Sequence, residues 1–433
     1  MAQPNPVPQL FPARQSFDRP RVASIPAAVN TELSKLFGPS SPHARPIAAG
    51  AQIGVTVGSR GISNIAEITR AVVDFFKSKK ARPFIIPAMG SHGGATPEGQ
   101  KSLIAHYGVT EESMGCPIRA EMATRCLGKG AGGVDAFLAE TAWQSDGVFL
   151  LNRVKPHTDY KGRIESGLTK ICGIGLGKLD GAKEYHSRVL DLGLGNAIRS
   201  AAEQILATGK IIGGLAILEN AYHETARLAG VAVGGFFDTE AALLEEARRL
   251  MGSLPFPEFD LLICDRMGKN ISGAGLDTNI IGRSVYGYTA GTPWIEGMPA
   301  IHRIFVRDLS DESDGNAVGM GLVDFTTPRM LAKVDHTITQ LNAFTACSPL
   351  GARAPVTLPT DREAISVALN TCRRRGEGAL VGYVRDTLAL DAIYLSEGFL
   401  DAARRHPRLK VESDPAPLRF DEGGWLGSPF VQH

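Results

Sequence analysis

Short apolar runs and longer amphipathic segments alternate along the chain. Residues 53–57, 83–87 and 147–151 are apolar runs of the length of a buried strand. Helical spacing of apolar positions covers residues 64–80 and then residues 97–107. This alternation of strand and helix predicts an α/β fold in which parallel strands end at one edge of a sheet.

The same alternation continues to the C-terminal end, with Gly252–Pro257 as a glycine- and proline-rich break. We therefore predict two α/β domains, residues 1–255 and residues 256–433. Residues 1–50 are rich in proline and are expected to form an arm or a covering segment. The other expected strands are residues 211–218, 230–234, 259–264, 302–306, 318–323, 379–384 and 390–395. The other expected helices are residues 190–207, 239–251, 328–333, 336–346 and 360–375.

The segment 152–187 follows the strand at 147–151 and is rich in reactive side chains, with His157, Lys170 and His186. A neutral imidazole can bind a metal or move a proton, and a lysine shielded from water can act as a nucleophile or a covalent tether. Each residue alone is more often a solvated loop histidine or a surface charge. Three of them on one loop-rich segment favour a functional site.

The glycines of the sequence GIGLGK do not complete a known nucleotide motif. A phosphate-binding P-loop needs glycine at Cys172 and serine or threonine at Leu179. The residues just before these glycines form no clean strand, so the dinucleotide fingerprint also fails. Gly173 and Gly175 are still expected to let the backbone approach a phosphate-bearing ligand after Lys170.

Two more loops carry a polar residue directly after a strand, Arg60 in GSRG and His92 in AMGSHGGAT. The carboxyl ends of parallel strands meet at one edge of a sheet, where ligands bind. We therefore expect Arg60, His92 and His157 at one edge. In the second half, Asp277 and Asn279 are expected to point to the same side of an extended segment.

Composition excludes several classes of protein. The 433 residues carry a net charge of +1, so there is no electrostatic reason to expect nucleic acid or a membrane surface as partner. No apolar run has the length of a membrane span, and the proline-rich start does not match a signal peptide, so a cytoplasmic location is expected. None of the six cysteines forms a C-x-x-C pair, and neither a disulfide framework nor a zinc knuckle is indicated.

Four separated motifs carry a family resemblance: GSRG, AMGSHGGATPEGQ, VKPHTDYKGRIESGLTK with a later histidine, and MGKNISGAGLDTNIIGR. In this order they resemble the nickel-dependent lactate racemase superfamily, with the weakest match after about residue 350. The resemblance implies two α/β domains with the active site in the cleft between them. It also implies an isomerase, a racemase or epimerase of a 2-hydroxy acid, that works by hydride transfer to a nickel pincer nucleotide.

The resemblance assigns roles to single residues. Lys170 matches the lysine that is joined covalently to the cofactor, and His186, sixteen positions on, matches the nickel ligand. His92 and His157 match the acid–base pair, and Arg60 matches an arginine of the cofactor and substrate pocket. The glycines at 173 and 175 are assigned to cofactor binding.

The substrate motifs depart from those of the lactate enzymes. Val57 stands where those enzymes have an aspartate, and residues 280–283 replace a tyrosine–glutamine pair and a nearby lysine. With Asp277, Asn279 and Arg283 as the assigned substrate-binding residues, the expected substrate is an anionic 2-hydroxy acid larger than lactate. The other expected partners are cofactor-synthesis proteins, and a homo-oligomer is allowed.

Two alternatives stay open. One is a metallohydrolase built on His92, His157, His186 and Asp159, although no H-x-H or H-E-x-x-H spacing is present. The other is a non-catalytic protein that binds a nucleotide or cofactor, although both histidines of the acid–base pair are retained.

Overall fold

The structure, a computed structural model, describes residues 7–38, 46–59, 61–374 and 378–430. Its strands are β1 (Leu10–Gln15), β2 (Gln52–Val57), β3 (Arg82–Pro87), β4 (Thr124–Lys129), β5 (Asp135–Ala139), β6 (Gly147–Arg153), β7 (Ile211–Glu219), β8 (Thr225–Val231), β9 (Glu258–Met267), β10 (Ala300–Leu309), β11 (Phe325–Thr326), β12 (Val356–Thr357), β13 (Val381–Val384), β14 (Ala392–Ser396) and β15 (Leu409–Val411).

The α-helices of the described residues are α1 (Ile25–Phe37), α2 (Ile65–Ser78), α3 (Pro97–His106), α4 (Glu111–Met114), α5 (Glu140–Gln144), α6 (Leu168–Lys170), α7 (Lys178–Ser187), α8 (Leu194–Ala207), α9 (Phe236–Leu250), α10 (Thr278–Ile281), α11 (Pro328–Leu331), α12 (His336–Thr345), α13 (Asp361–Asn370) and α14 (Leu400–Arg405). A π-helical turn, Ile171–Gly175, joins α6 to the residues before α7. No helix in the described residues combines the length and the apolar character that crossing a membrane requires.

Arg19–Met251 forms one compact unit around a five-stranded sheet in the order β3-β2-β6-β7-β8. The first four strands run parallel, and β8 is antiparallel to β7. Along β6 the buried side chains alternate between two cores, with Phe149 on one face and Leu150 on the other. Helices cover both faces, which explains the continuous apolar runs in the sequence. The predicted α/β class is confirmed.

The second unit contains the described residues up to Asp18 and those from Gly252 onward. Its eight-stranded sheet has the order β12-β11-β10-β9-β13-β14-β1-β15. The strands from β12 to β13 are parallel, whereas β14, β1 and β15 pair antiparallel. The glycine- and proline-rich break that was predicted to separate two domains lies at the start of this unit's second segment.

The structure corrects two expectations about secondary structure and adds one hairpin. The N-terminal residues are not an arm alone, because β1 pairs with β14 of the second unit and α1 packs in the core of the first. Residues 318–323 are not a strand. Gly319 has a left-handed φ of 97° and leads into a buried 3₁₀ turn, Met320–Leu322. The hairpin of β4 and β5 was not predicted.

Candidate functional site

Three loops of the first unit leave the same edge of its sheet. They follow β2, β3 and β6, whose parallel pairing places their carboxyl ends together. The loop after β2 carries Ser59, whose Oγ lies 2.5 Å from Nδ1 of His92 on the loop after β3. The loop after β6 carries His157. This confirms the shared edge expected for the loops of the two histidines, whereas Arg60 lies outside the described residues.

The loop that carries His157 is organised around the buried carboxylate of Glu165. This side chain accepts hydrogen bonds from the backbone N–H groups of His157 at 2.6 Å and Gly162 at 3.2 Å. Arg248 from α9 donates to it at 2.6 Å, and Lys161 lies 3.4 Å away. Two cations and two amides compensate one buried charge, so the loop is held in a single shape.

His157 and Lys170 form the central contact of the site, with 2.7 Å between His157 Nε2 and Lys170 Nζ. The backbone N–H of Asp159 donates to Nδ1 of His157 at 3.0 Å, so Nδ1 carries no proton. A neutral His157 then carries its proton on Nε2 and needs an acceptor there. Lys170 offers a lone pair only as an uncharged amine. The geometry therefore favours a neutral histidine that donates to a neutral lysine.

Buried polar groups also fix the backbone just before Lys170. The carboxylate of Glu240 accepts from the backbone N–H and the hydroxyl of Thr169, and the amide of Asn152 donates to the Gly167 carbonyl at 2.7 Å. Burial raises the pKa of Glu240 to about 7, although the hydrogen bonds from Thr169 and from the Leu168 backbone oppose this shift. A carboxyl group that titrates near neutral pH thus lies next to the segment that presents Lys170.

His186 lies on α7, and its ring has a defined orientation. The distance between Nδ1 and the Ala182 carbonyl oxygen is 2.6 Å. A carbonyl can only accept, so Nδ1 carries the proton and Nε2 carries the lone pair of a neutral ring. Burial lowers the pKa of His186, and the Ala182 hydrogen bond opposes this shift. This tautomer suits a metal ligand that coordinates through Nε2.

Gly173 and Gly175 have a structural explanation that differs from the predicted approach to a phosphate. A Cβ on Gly173 would lie 3.0 Å from the carbonyl oxygen of Ile198, and one on Gly175 would lie 2.7 Å from that of Ala88. Both glycines therefore permit close packing of the π-helical turn inside the unit. The arrangement favours packing over cofactor binding for these two positions.

The three residues assigned to substrate binding lie in the second unit, and Asp277 and Arg283 make hydrogen bonds within that unit. Asp277 is not part of an extended segment. It caps α10 and accepts from both the backbone and the side-chain amide of Asn279, at 2.9 and 2.7 Å. Arg283 is 2% exposed, donates to the Leu322 carbonyl and to Asp324, and stacks on Tyr288. These contacts engage both terminal nitrogens of the guanidinium, whereas its buried Nε has no hydrogen-bond partner among the described residues. The assignment of Arg283 to substrate binding stays a prediction.

Sequence reasoning did not identify the supporting roles of Glu165 and Glu240. Glu165 stands inside a quoted motif, yet its partner Arg248 is 83 positions away. Glu240 interrupts the apolar face of α9 as a polar residue at a buried position. The only signal in the sequence is a charged residue at a position where the helical pattern predicts an apolar one. This signal does not show which residue pairs with the charge.

Among the described residues, one group of three potential metal ligands lies within 4.8 Å: Glu258, Asp260 and His302 of the second unit. Arg374 already pairs with both carboxylates of this group. The group includes none of the histidines on which the hydrolase alternative depends.

No protein-family model matches the chain, and a search of curated proteins finds no match. Solved structures do match, including the lactate racemase apoprotein from Thermoanaerobacterium thermosaccharolyticum. That likeness covers 89% of this chain and 96% of that chain, with 14% identity and a TM-score of 0.48. At these values the likeness carries no argument about the site or its chemistry.

Proposed function

We propose that this protein is a racemase or epimerase of an anionic 2-hydroxy acid and uses a nickel pincer nucleotide held by Lys170 and His186. The supporting observation is the contact of Lys170 Nζ with His157 Nε2 at 2.7 Å, next to a backbone amide that sets the histidine tautomer. It presents an uncharged lysine amine, the form that can bond covalently to an acyl-type arm of a cofactor.

The residues fit the proposed group in two respects. Lys170 supplies a nucleophilic amine, and His186 supplies an imidazole lone pair on Nε2, a donor that suits nickel. When bound, the group would supply a nickel-activated ring that accepts the α-hydrogen of the substrate as hydride. The fit does not extend to Gly173 and Gly175, whose α-carbons face neighbouring backbone.

The chain's own residues would hold the substrate and move its hydroxyl proton. We assign proton exchange to His92 and His157, one for each enantiomer. Attachment at Lys170 would convert its amine into a non-basic nitrogen, so Nε2–H of His157 would lose its acceptor and the ring would be free to take the tautomer with a lone pair on Nε2, which proton exchange requires. Arg60 is the proposed partner of the substrate carboxylate, because a guanidinium matches two oxygens and both terminal nitrogens of Arg283 already donate to protein groups.

The test is a panel of single enantiomers of 2-hydroxy acids, incubated in heavy water with cofactor-loaded protein. Chiral chromatography should show interconversion, and mass analysis should show that the product keeps its α-hydrogen. His92→Gln should lower the rate in both directions by roughly 10²–10⁴-fold. Lys183→Ala, a change at an exposed lysine of the same helix as His186, is the matched control.

Extensive α-deuteration would contradict the hydride mechanism. Absence of turnover for every 2-hydroxy acid, with protein verified to carry the cofactor, would contradict the proposed reaction and favour a binding protein.

A further inference from the structure

The loop that carries His92 is rich in glycine, so its conformation has to be fixed by contacts with residues outside the loop. Between β3 and α3, Gly90, Gly93 and Gly94 have left-handed φ angles of 60°, 65° and 65°, and Ala95 has a φ of 54°. Glycine adopts this region readily, but an alanine there costs about 1–2 kcal/mol. A loop with so much conformational freedom keeps one shape only if other contacts fix it.

Gln100 supplies such contacts from the first turns of α3. Its side chain is completely buried, and its amide nitrogen donates to the carbonyl of Gly90 at 3.0 Å and to that of His92 at 3.3 Å. Both acceptors are carbonyls, so the amide nitrogen must face the loop. The amide oxygen of Gln100 must then face the opposite direction.

Lys178 occupies that opposite side. Its side chain is also completely buried, and Nζ donates to Gln100 Oε1 at 3.0 Å and to the Pro87 carbonyl at 2.8 Å. Since Nζ donates to both acceptors, the Gln100 oxygen is held toward Lys178 and its nitrogen toward the loop. Pro87 is the last residue of β3, so Lys178 also fixes the point at which the loop begins.

The position of Lys178 is energetically unfavourable by itself. Its φ of 51° is left-handed, which is uncommon for a residue with a side chain. Burial lowers the pKa of its amine to about 8, with Glu121 opposing the shift. Both the charged and the neutral amine still have N–H groups for the two acceptors. The left-handed backbone and the buried amine of Lys178 both cost free energy, yet its side chain donates hydrogen bonds to Gln100 and Pro87. These contacts indicate that Lys178 has a role in fixing this loop.

We propose that Lys178 and Gln100 form a relay that positions His92, so that Lys178 is a positioning residue for the proton exchange assigned to His92. The hydrogen bonds described above connect Lys178 to the His92 loop whatever the reaction is. The role of this connection in proton exchange rests on the function proposed above. The relay determines whether the His92 ring reaches Ser59, whose Oγ lies 2.5 Å from Nδ1.

Two substitutions cut the relay at different points. Lys178→Met keeps the chain length and removes both donated hydrogen bonds, so Gln100 is free to rotate. Gln100→Glu keeps an acceptor for Lys178 but has no N–H for the carbonyls of Gly90 and His92. The matched control is Lys210→Met, because Lys210 donates to the Ser145 carbonyl at 2.8 Å elsewhere in the same unit.

The measurement is NMR of the full-length chain with isotope-labelled histidine and without cofactor, with His92 assigned by the loss of its signals in His92→Gln. We expect the His92 ring signals to move toward those of free histidine in both relay variants. The signals of His157 and His186 should stay at the positions seen in Lys210→Met. If Lys178→Met does not fold, Gln100→Glu carries the test, because it keeps a partner for Lys178.

His92 signals that coincide in Gln100→Glu and the unsubstituted chain would overturn the relay. In protein that turns over a 2-hydroxy acid, the relay variants should lower kcat by about tenfold or more with little change in KM. If no form of the protein turns over such an acid, the proposed function fails, and the NMR result still decides the relay.

Discussion

At the scale of single residues, the two histidines nearest Lys170 in sequence hold opposite tautomers. Nδ1 of His157 accepts from a backbone amide, so the ring presents an N–H at Nε2. Nδ1 of His186 donates to a carbonyl, so the ring presents a lone pair at Nε2. The first suits hydrogen bonding to a neutral amine, and the second suits coordination of a metal. The two tautomers are set by hydrogen bonds to backbone groups, and these bonds cannot be predicted from the sequence.

The first prediction is that Lys170 reacts as a neutral amine near pH 7. An amine-selective reagent used at trace level should label Lys170 faster than the exposed Lys183, as measured by peptide mass spectrometry across pH. His157→Phe removes the hydrogen bond that stabilises the neutral amine. Lys170 should therefore be labelled more slowly at pH 7 in this variant than in the unsubstituted chain.

Tyr160→Phe is the control for that substitution, because it keeps a ring stacked on His157 and leaves the contact with Lys170 in place. The same pH profile for Lys170 and Lys183 in the unsubstituted chain would contradict the neutral-lysine assignment.

The second prediction concerns Glu240 and pH. Its pKa is raised to about 7, so the folded chain binds its proton more tightly than the unfolded chain does. The resulting stability is fully present below about pH 4.5 and is lost as pH rises through about 7. Urea unfolding should show that Glu240→Gln removes a pH-dependent change on the order of 3 kcal/mol.

Glu203→Gln is the control for this prediction, since Glu203 is an exposed helix residue paired with Arg199. A pH dependence of unfolding that is the same in Glu240→Gln and in the unsubstituted chain would contradict the shifted pKa.

The sequence indicated which residues could form a site more readily than it indicated the contacts of each residue. Spacing and chemistry indicated His157, Lys170 and His186 as one group, and the structure places the first two in contact. Arg283 was assigned to substrate binding, and the structure places it beneath Tyr288 with a hydrogen bond to the Leu322 carbonyl. Its partners lie many positions away, so a local pattern could not reveal that it is buried.

At the scale of elements, the strands that carry the site were predictable because each is buried on both faces. The runs at 53–57, 83–87 and 147–151 correspond to β2, β3 and β6. Asn64 is a residue type that often caps a helix with its side chain, yet at the start of α2 it has a φ of 58° and makes no such bond. Instead its Oδ1 accepts from Thr225, a partner that sequence spacing does not indicate.

The third prediction concerns the π-helical turn after Lys170. A Cβ on Gly175 would lie 2.7 Å from the Ala88 carbonyl oxygen, so Gly175→Ala must displace the start of the His92 loop. We expect a loss of about 1–3 kcal/mol in the free energy of unfolding. Gly235→Ala is the matched control, because its Cβ would meet only Thr239 Oγ1 at 3.5 Å. Equal losses in the two variants, measured by urea unfolding, would contradict the packing role.

At the scale of the whole molecule, the two α/β units were predictable but the path of the chain was not. In β1, Leu10 pairs with Ser396, so the second unit's sheet joins residues almost 390 positions apart. The sequence LFPARQ contains a proline and no long apolar run, which made it resemble a covering segment. Strand pairing over such separations depends on the assembled sheet and not on local preference.

The central claim is that this chain carries a nickel pincer nucleotide bound covalently at Lys170 and coordinated by His186. Its most direct test is intact-mass and metal analysis of protein made together with the cofactor-synthesis proteins. We predict a covalent adduct with stoichiometric nickel, loss of the adduct in Lys170→Ala, and loss of nickel with retention of the adduct in His186→Ala. Lys183→Ala should keep both. An adduct that survives in Lys170→Ala, or stoichiometric zinc unaffected by His186→Ala, would contradict the account.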